Sequence, residues 1–109
     1  METINLDYFK KLDLRVAEIL EAERVPETDK LLKLKINLGD ETREIVSGIG
    51  AQYKPEDLIG KQIVVLANLE PKVFKGIESQ GMLLAAVNET GKIALLKPNK
   101  KMKPGDRVQ

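Results

Sequence analysis

Two short runs, Ile63 to Ala67 and Met82 to Val87, are apolar at every position. A strand of that kind needs cover on both faces, unlike the half-solvated strand that alternates apolar and polar. The runs are too short to span a membrane, and turn residues bound them, so they read as buried strands. The stretch between them is cationic and polar. It carries Pro71, then Lys72 and Lys75 flanking Val73 and Phe74, then Gly76, Glu78-Ser79-Gln80 and Gly81. Polar and basic connections held on a rigid sheet are where binding usually sits. A chain of 109 residues is expected to form one domain, residues 1–109, with one modest core. In so small a domain, a second subunit is a natural source of cover for one face of Ile63 to Ala67.

The rest of the chain supplies the sheet. Asn5 precedes one helical turn, with Asp7 near its positive end and Tyr8 and Phe9 to pack it down. Leu12 to Val25 is ambiguous. Leu12, Leu14, Val16, Leu20 and Ala22 share an alternating phase broken at Glu18, but Leu12, Val16, Ile19 and Leu20 also fit a helical stripe. Local propensity leans to helix. After a turn at Pro26-Glu27-Thr28-Asp29, Leu32, Leu34, Ile36 and Leu38 alternate with Lys33, Lys35 and Asn37, a half-buried strand with both lysines on its outer face. Gly39-Asp40 turns the chain into a strand from Arg43 to Ile49. Pro55, Glu56 and Asp57 start a short helix that Gly60 stops. Ile93 to Leu96 is a last strand, and Pro98 to Gln109 is a basic tail with a Pro104-Gly105-Asp106 turn. Short strands, glycine turns and one helical interruption point to a small all-β barrel or sandwich, and a five-stranded OB-type barrel fits the count.

Charge separates along the chain although its total is only +1. Residues 1–29 hold eight acids (Glu2, Asp7, Asp13, Glu18, Glu21, Glu23, Glu27, Asp29) against four bases (Lys10, Lys11, Arg15, Arg24). Bases then cluster at Lys30, Lys33 and Lys35, at Lys72 and Lys75, and from Lys97 to Arg107. Separated signs allow a basic face for a polyanion, although any one lysine is more simply a solvated surface group. With no cysteine and no histidine, the chain lacks thiolate chemistry, disulfides, the commonest general base and the commonest transition-metal ligand. Ser47 and Ser79 are the candidate nucleophiles, with Lys72 or Lys75 as the base left to Ser79; serines in strands and turns ordinarily hydrogen-bond the backbone. Gly48-Ile49-Gly50 has Tyr53 where a dinucleotide loop needs its third glycine, and no calcium-loop spacing appears. The expectation is a non-catalytic module without cofactor or metal, in a reducing cytoplasm.

Nucleic acid suits the charges better. Lys33, Lys35, Arg43, Lys72 and Lys75 are placed to contact phosphates through Coulomb attraction and counterion release. Aromatic residues are few (Tyr8, Phe9, Tyr53, Phe74), which disfavours extended single strands stacked on aromatic platforms. A folded RNA read through backbone and shape fits the composition. Phe74 serves either to stack a base or to anchor its loop.

A series of motifs carries a resemblance. Asp13-Leu14-Arg15-Val16, Asp29 to Leu34, Ile45 to Ile49, Tyr53 to Gly60, Asn68-Leu69-Glu70-Pro71-Lys72 and Ser79-Gln80-Gly81-Met82 occur in order with no large gap. Together they resemble the tRNA-binding domain found at the C-terminus of many bacterial methionyl-tRNA synthetases, as free-standing tRNA-binding proteins and in the endothelial monocyte-activating polypeptide II type domain. The resemblance implies an OB-fold in which Leu14 to Val25 is the first barrel strand, with the short helix between strands 3 and 4 and with N- and C-terminal extensions. It implies a homodimer built through those extensions. It also implies structure-dependent, largely sequence-independent tRNA binding, either free-standing or beside the catalytic chain of methionyl-tRNA synthetase, with neither DNA nor membrane as a partner. Asn68, Ser79, Gly81 and Met82 match its binding-surface pattern; Gln80 joins Asn68 and Ser79 as a hydrogen-bonding group. Members often carry a basic residue where Glu70 stands here. The alternative is an interaction or dimerisation module, or a peptide binder like the export-chaperone branch of the same fold.

Overall fold

The computed structural model describes all 109 residues. In chain order its elements are α1 (Leu6–Phe9), β1 (Leu14–Arg24), β2 (Leu32–Asn37), β3 (Thr42–Ser47), α2 (Pro55–Leu58), β4 (Gln62–Leu66), β5 (Lys72–Phe74), β6 (Ile77–Ser79), β7 (Met82–Leu83), β8 (Ala85–Val87), β9 (Ile93–Leu95) and β10 (Arg107–Val108). Antiparallel pairing gives the order β3-β2-β1-β4-β7, with β10 added to β1. The two ends of that order meet where the Gln80 amide donates to the Glu44 carbonyl at 2.9 Å and the Val46 amide donates to the Ser79 hydroxyl at 2.9 Å. The result is a nearly closed five-stranded barrel of the OB type, as the sequence predicts. Its core is built from Ala17, Ile19, Leu32, Leu34, Ile36, Ile45, Ile63 and Val65, with α2 between β3 and β4 inserting Leu58.

β1 decides the ambiguity of Leu12 to Val25 against the local helical reading. Its 11 residues are paired on both edges at the start of the strand and on one edge toward its end. It pairs with β2 from Glu18 to Arg24, with β4 from Leu14 to Glu18 and with β10 at Leu14 and Arg15. Helix propensity differs by tenths of a kcal/mol per residue, and pairing on both edges overrides it. The break in alternation has a cause: the register with β2 shifts between Ile19 and Glu21, so Leu20 is a bulge. Before it, Ala17 and Ile19 face the core; after it, Glu21 and Glu23 face outward opposite Lys35 and Lys33.

The apolar run of β4 finds both covers within one chain, contrary to the expectation of a second subunit. Ile63 and Val65 enter the barrel core, whereas Val64 and Leu66 lie on the other side, opposite Val16 and Leu14 of β1. The C-terminal segment shields that outer side, with Lys97, Pro98, Met102, Arg107 and Val108 around Val16 and Val64. Gly105 locks the segment in place at φ +94°, where its amide donates to the Val16 carbonyl at 2.7 Å. A Cβ at Gly105 would overlap the Leu38 carbonyl oxygen. The second apolar run also departs from expectation. It divides at Leu84, whose amide donates to Val64 while its carbonyl accepts from Leu96, and β8 then leaves the barrel to pair with β9. Ala86 and Val87 are exposed in consequence.

The N-terminal turn is capped as expected, the Asn5 side chain accepting from the Tyr8 amide at 2.8 Å. Tyr8 does not pack it down; no residue of α1 is buried. Asn68 holds this segment instead, accepting from the Asp13 amide at 2.9 Å and donating to the Lys11 carbonyl at 2.7 Å. Beside it, the Arg15 guanidinium forms two 3.0 Å hydrogen bonds to Asp13 and holds its carboxyl below the ordinary carboxylate value.

Gly105→Ala is expected to destabilise the fold by about 2 kcal/mol through strain at positive φ and the carbonyl overlap, measured by chemical denaturation. The Asp13 pKa is depressed on folding, so its contribution is present above the unfolded carboxylate value and is lost as pH falls through the lower folded value. Stability measured from neutral to acid pH is therefore expected to fall more steeply for the wild type than for Asp13→Asn.

Candidate nucleic-acid interface

Alternation along β2 buries Leu32, Leu34 and Ile36 completely and turns Lys33 and Lys35 outward, as expected. Their neighbours alter the electrostatics. Across β1 and β3, Glu23 and Val46 flank Lys33, while Glu21 and Glu44 flank Lys35. The Lys33 ammonium lies 2.9 Å from Glu23 and 3.8 Å from Glu44, and the Lys35 ammonium 3.4 Å from Glu21. The hydrogen bond to Glu23 raises the Lys33 pKa above its ordinary value. The anticipated cationic wall is a checkerboard of two lysines and three glutamates. Exposed pairs of this kind are worth about 0–1 kcal/mol each, so phosphates can replace the carboxylates at little cost.

Arg43 does not join those lysines. It pairs with Ile36, whose side chain enters the core, so it sits on the opposite face of β3 at the barrel rim. There its guanidinium bonds Glu41 at 2.6 Å, the Ala67 carbonyl at 2.5 Å and the Gln80 carbonyl at 3.3 Å. These bonds tie β3 to the ends of the 68–79 excursion. Ser79 and Gln80 occupy the same seam. Ser79 is only 3% exposed; its hydroxyl accepts from Val46 and donates to the Gly81 carbonyl at 3.0 Å. The Gln80 side chain accepts from the Glu44 amide at 3.3 Å. Ser79 is thus a barrel-closing group, with no hydroxyl free for a ligand or for nucleophilic work, and Asn68 is committed to Lys11 and Asp13.

The basic hairpin is a separate two-stranded unit. β5 and β6 pair in register Phe74 to Ile77, leaving Lys75 and Gly76 as a two-residue loop at φ +50° and +80°. Positive φ at both central residues is the pattern of the type I′ turn, whose twist matches paired strands. A lysine there is strained, because L-residues other than Gly, Asn and Asp rarely adopt it. Lys72 lies 5.1 Å from the Phe74 ring centroid, a cation–π contact. Under the hairpin is an open cleft of about 250 Å³. Val46, Leu69, Phe74 and Met82 give it apolar walls, and Glu70 and Lys72 flank it. Met82 is half-exposed at the cleft wall.

Of the nine expected contact residues, the structure gathers Lys72 and Met82 at the cleft with Lys75 at the hairpin tip, leaves Lys33 and Lys35 on the neighbouring strand face, and commits Arg43, Asn68, Ser79 and Gln80 to internal bonds. Sequence reasoning missed Val46 and Leu69 as cleft walls and the three glutamates as lysine partners. Glu21 and Glu23 share the two-residue spacing of Lys33 and Lys35, a usable signal once both segments are strands. Lys75→Asn is expected to stabilise the domain by about 0.5–1 kcal/mol by relieving strain at the turn, read from its unfolding midpoint.

Comparison with known proteins bears on this surface. The family model described as a tRNA binding domain matches residues 14–107. The chain is 50% identical over 109 residues to the methionine-tRNA ligase of Methanocaldococcus jannaschii and 54% identical over 108 residues to that of Caldanaerobacter subterraneus subsp. tengcongensis. These matches cover 100% and 99% of this chain and 17% of each ligase, so the chain spans about a sixth of those enzymes. Among solved structures, a MetRS related protein from Pyrococcus horikoshii superposes with a TM-score of 0.96 at 42% identity, covering 100% of both chains. The chaperone CsaA from Bacillus anthracis superposes with a TM-score of 0.92 at 34% identity, covering 99% of this chain and 100% of that one. From its first barrel strand to its last, the chain belongs to the tRNA binding domain family.

Proposed function

We propose that this domain is a non-catalytic module that binds folded tRNA through phosphate contacts and shape. The observation that carries the reading is the β5–β6 hairpin: two lysines, one at a strained tip, set over an apolar cleft with an aromatic wall. Strain at an exposed turn is the kind of local cost that persists at binding sites. Lys72 and Lys75 make the first phosphate contacts. Lys33 and Lys35 join when phosphates take the place of Glu21, Glu23 and Glu44. Arg43, Ser79 and Gln80 act by holding the hairpin against β3, and Asn68 ties the start of the excursion to the N-terminal segment. Kinship with stretches of methionine-tRNA ligases supports tRNA as the ligand and a place beside a ligase catalytic chain, whether in the same polypeptide or in trans. Extending the contact in this way raises the effective concentration of tRNA. A homodimer is supported by exposed apolar side chains on the two terminal segments, Leu6, Leu12 and Met102 among them.

A second reading, a chaperone-like peptide binder, is favoured by the likeness to CsaA and by the apolar cleft, which also suits a peptide side chain. Charge reversal separates the two.

Association with whole tRNA is expected to weaken with salt at a log-log slope of about −0.7 to −0.9 per phosphate neutralised. Lys72→Glu with Lys75→Glu should cut affinity about tenfold or more at low salt and shrink the slope by roughly 1.4–1.8. Lys33→Ala with Lys35→Ala should cost less, because those charges are already partnered. Sizing of the protein alone and with tRNA reads dimer and complex together. Salt-insensitive binding, or equal affinity for unstructured RNA, overturns the tRNA reading; capture of apolar peptides that survives the charge reversal selects the second.

A further inference from the structure

We propose that the cleft beneath the β5–β6 hairpin is a base-selective slot that takes one unpaired guanine, with Glu70 as the selecting group; this rests on the RNA-binding reading above. The cleft has the two parts such a slot needs. Its walls are apolar and include an aromatic side chain, Phe74, together with Met82, Val46 of β3 and Leu69. An unstacked base packs on such walls whatever its identity. At its side stand an acceptor and a donor. Glu70 is exposed, and it takes part in none of the ion pairs that occupy Glu21, Glu23, Glu41 and Glu44. Lys72 is held nearby over the Phe74 ring.

The exposed Glu70 carboxylate opposes phosphate attraction, but as a wall of the cleft it is an acceptor open to a ligand that carries donors. An ionised carboxylate only accepts hydrogen bonds, and its two oxygens receive two parallel N–H groups. On its Watson–Crick edge guanine presents N1–H and the N2 amino group side by side, with O6 next to them. Adenine and cytosine offer one amino group beside an acceptor, and uracil offers one imino group between two acceptors. Glu70 therefore matches guanine, and the Lys72 ammonium matches its O6. Sequence-specific readout of RNA generally uses such splayed, unpaired bases in loops. The rest of the surface, built of lysines, carries no base preference of its own.

The test uses the whole chain and a stem-loop RNA with a loop of uridines and a single guanosine, beside versions with adenosine, cytidine, uridine or inosine at that position. Whole tRNA serves as the reference. Wild-type protein is expected to bind the guanosine loop about fivefold or more tightly than the others, inosine included because it lacks the N2 amino group. Methyl resonances of Val46, Leu69 and Met82 are expected to shift most with guanosine. Glu70→Gln removes one of the two acceptors and one negative charge, so the guanosine preference should vanish while affinity for whole tRNA holds or rises. These opposite signs exclude simple unfolding. Equal binding of all loops by the wild type, a preference that survives Glu70→Gln, or guanosine shifts away from the methyls of those three residues overturns the slot. If whole tRNA binds without any preference, the slot fails and the tRNA reading stands; if no RNA binds, the tRNA reading itself has failed.

Discussion

The fold depends on the requirement that every backbone amide and carbonyl of a buried strand find a partner. β1 approaches it by changing partners along its length: β4 and β10 at its start, β2 at its end. Where regular pairing lapses, turns complete it. The Val16 amide donates to Asp106 and its carbonyl accepts from Gly105, while Ile19 exchanges bonds with Lys61 and Gly60. The C-terminal segment and the connection after α2 are thus pinned to the same strand. The bulge at Leu20 then turns the later half of β1 so that glutamates face outward beside the lysines of β2. The anchoring of both segments and the surface charge pattern follow from one strand's hydrogen bonding.

The candidate interface lies at the barrel seam, where β3 meets the chain between β6 and β7 through few backbone bonds. Side chains complete the joint there: Ser79 and Gln80 reach β3, and Arg43 bonds to carbonyls on either side of the 68–79 excursion. The neighbouring carbonyls need donors, and the buried Val46 amide needs an acceptor. The polar residues that look from sequence like ligand contacts are largely the means by which the hairpin is held. Lys72, Lys75, Glu70 and Met82 are among the groups here left facing solvent.

Much of the fold was legible. Alternation from Leu32 to Leu38 gave the strand, its buried side and the outward lysines, and Asn5 and Pro55 marked both helical turns. β1 was not legible locally, because Ala, Glu, Leu and Arg favour helix and the bulge erased its alternation; the motif resemblance placed it correctly. The division at Leu84 was hidden because an apolar run does not reveal where its pairing partner changes. At the interface, residue types identified the right segment but not their commitments. Nothing in Arg43 alone shows that it faces the carbonyls of Ala67 and Gln80. The pairing of Lys33 with Glu23 depends on a register displaced by one residue.

The checkerboard on β2 has a consequence for discrimination. Each exposed pair is weak, so no single glutamate bars a polyanion from the face. Under the proposed reading, the small costs add over three glutamates, and a stiff ligand whose negative groups arrive at the pitch of the two lysines recovers them together. A ligand that must also be ordered to reach both lysines recovers less, so the mixed face favours preformed contour more than a bare cationic wall would.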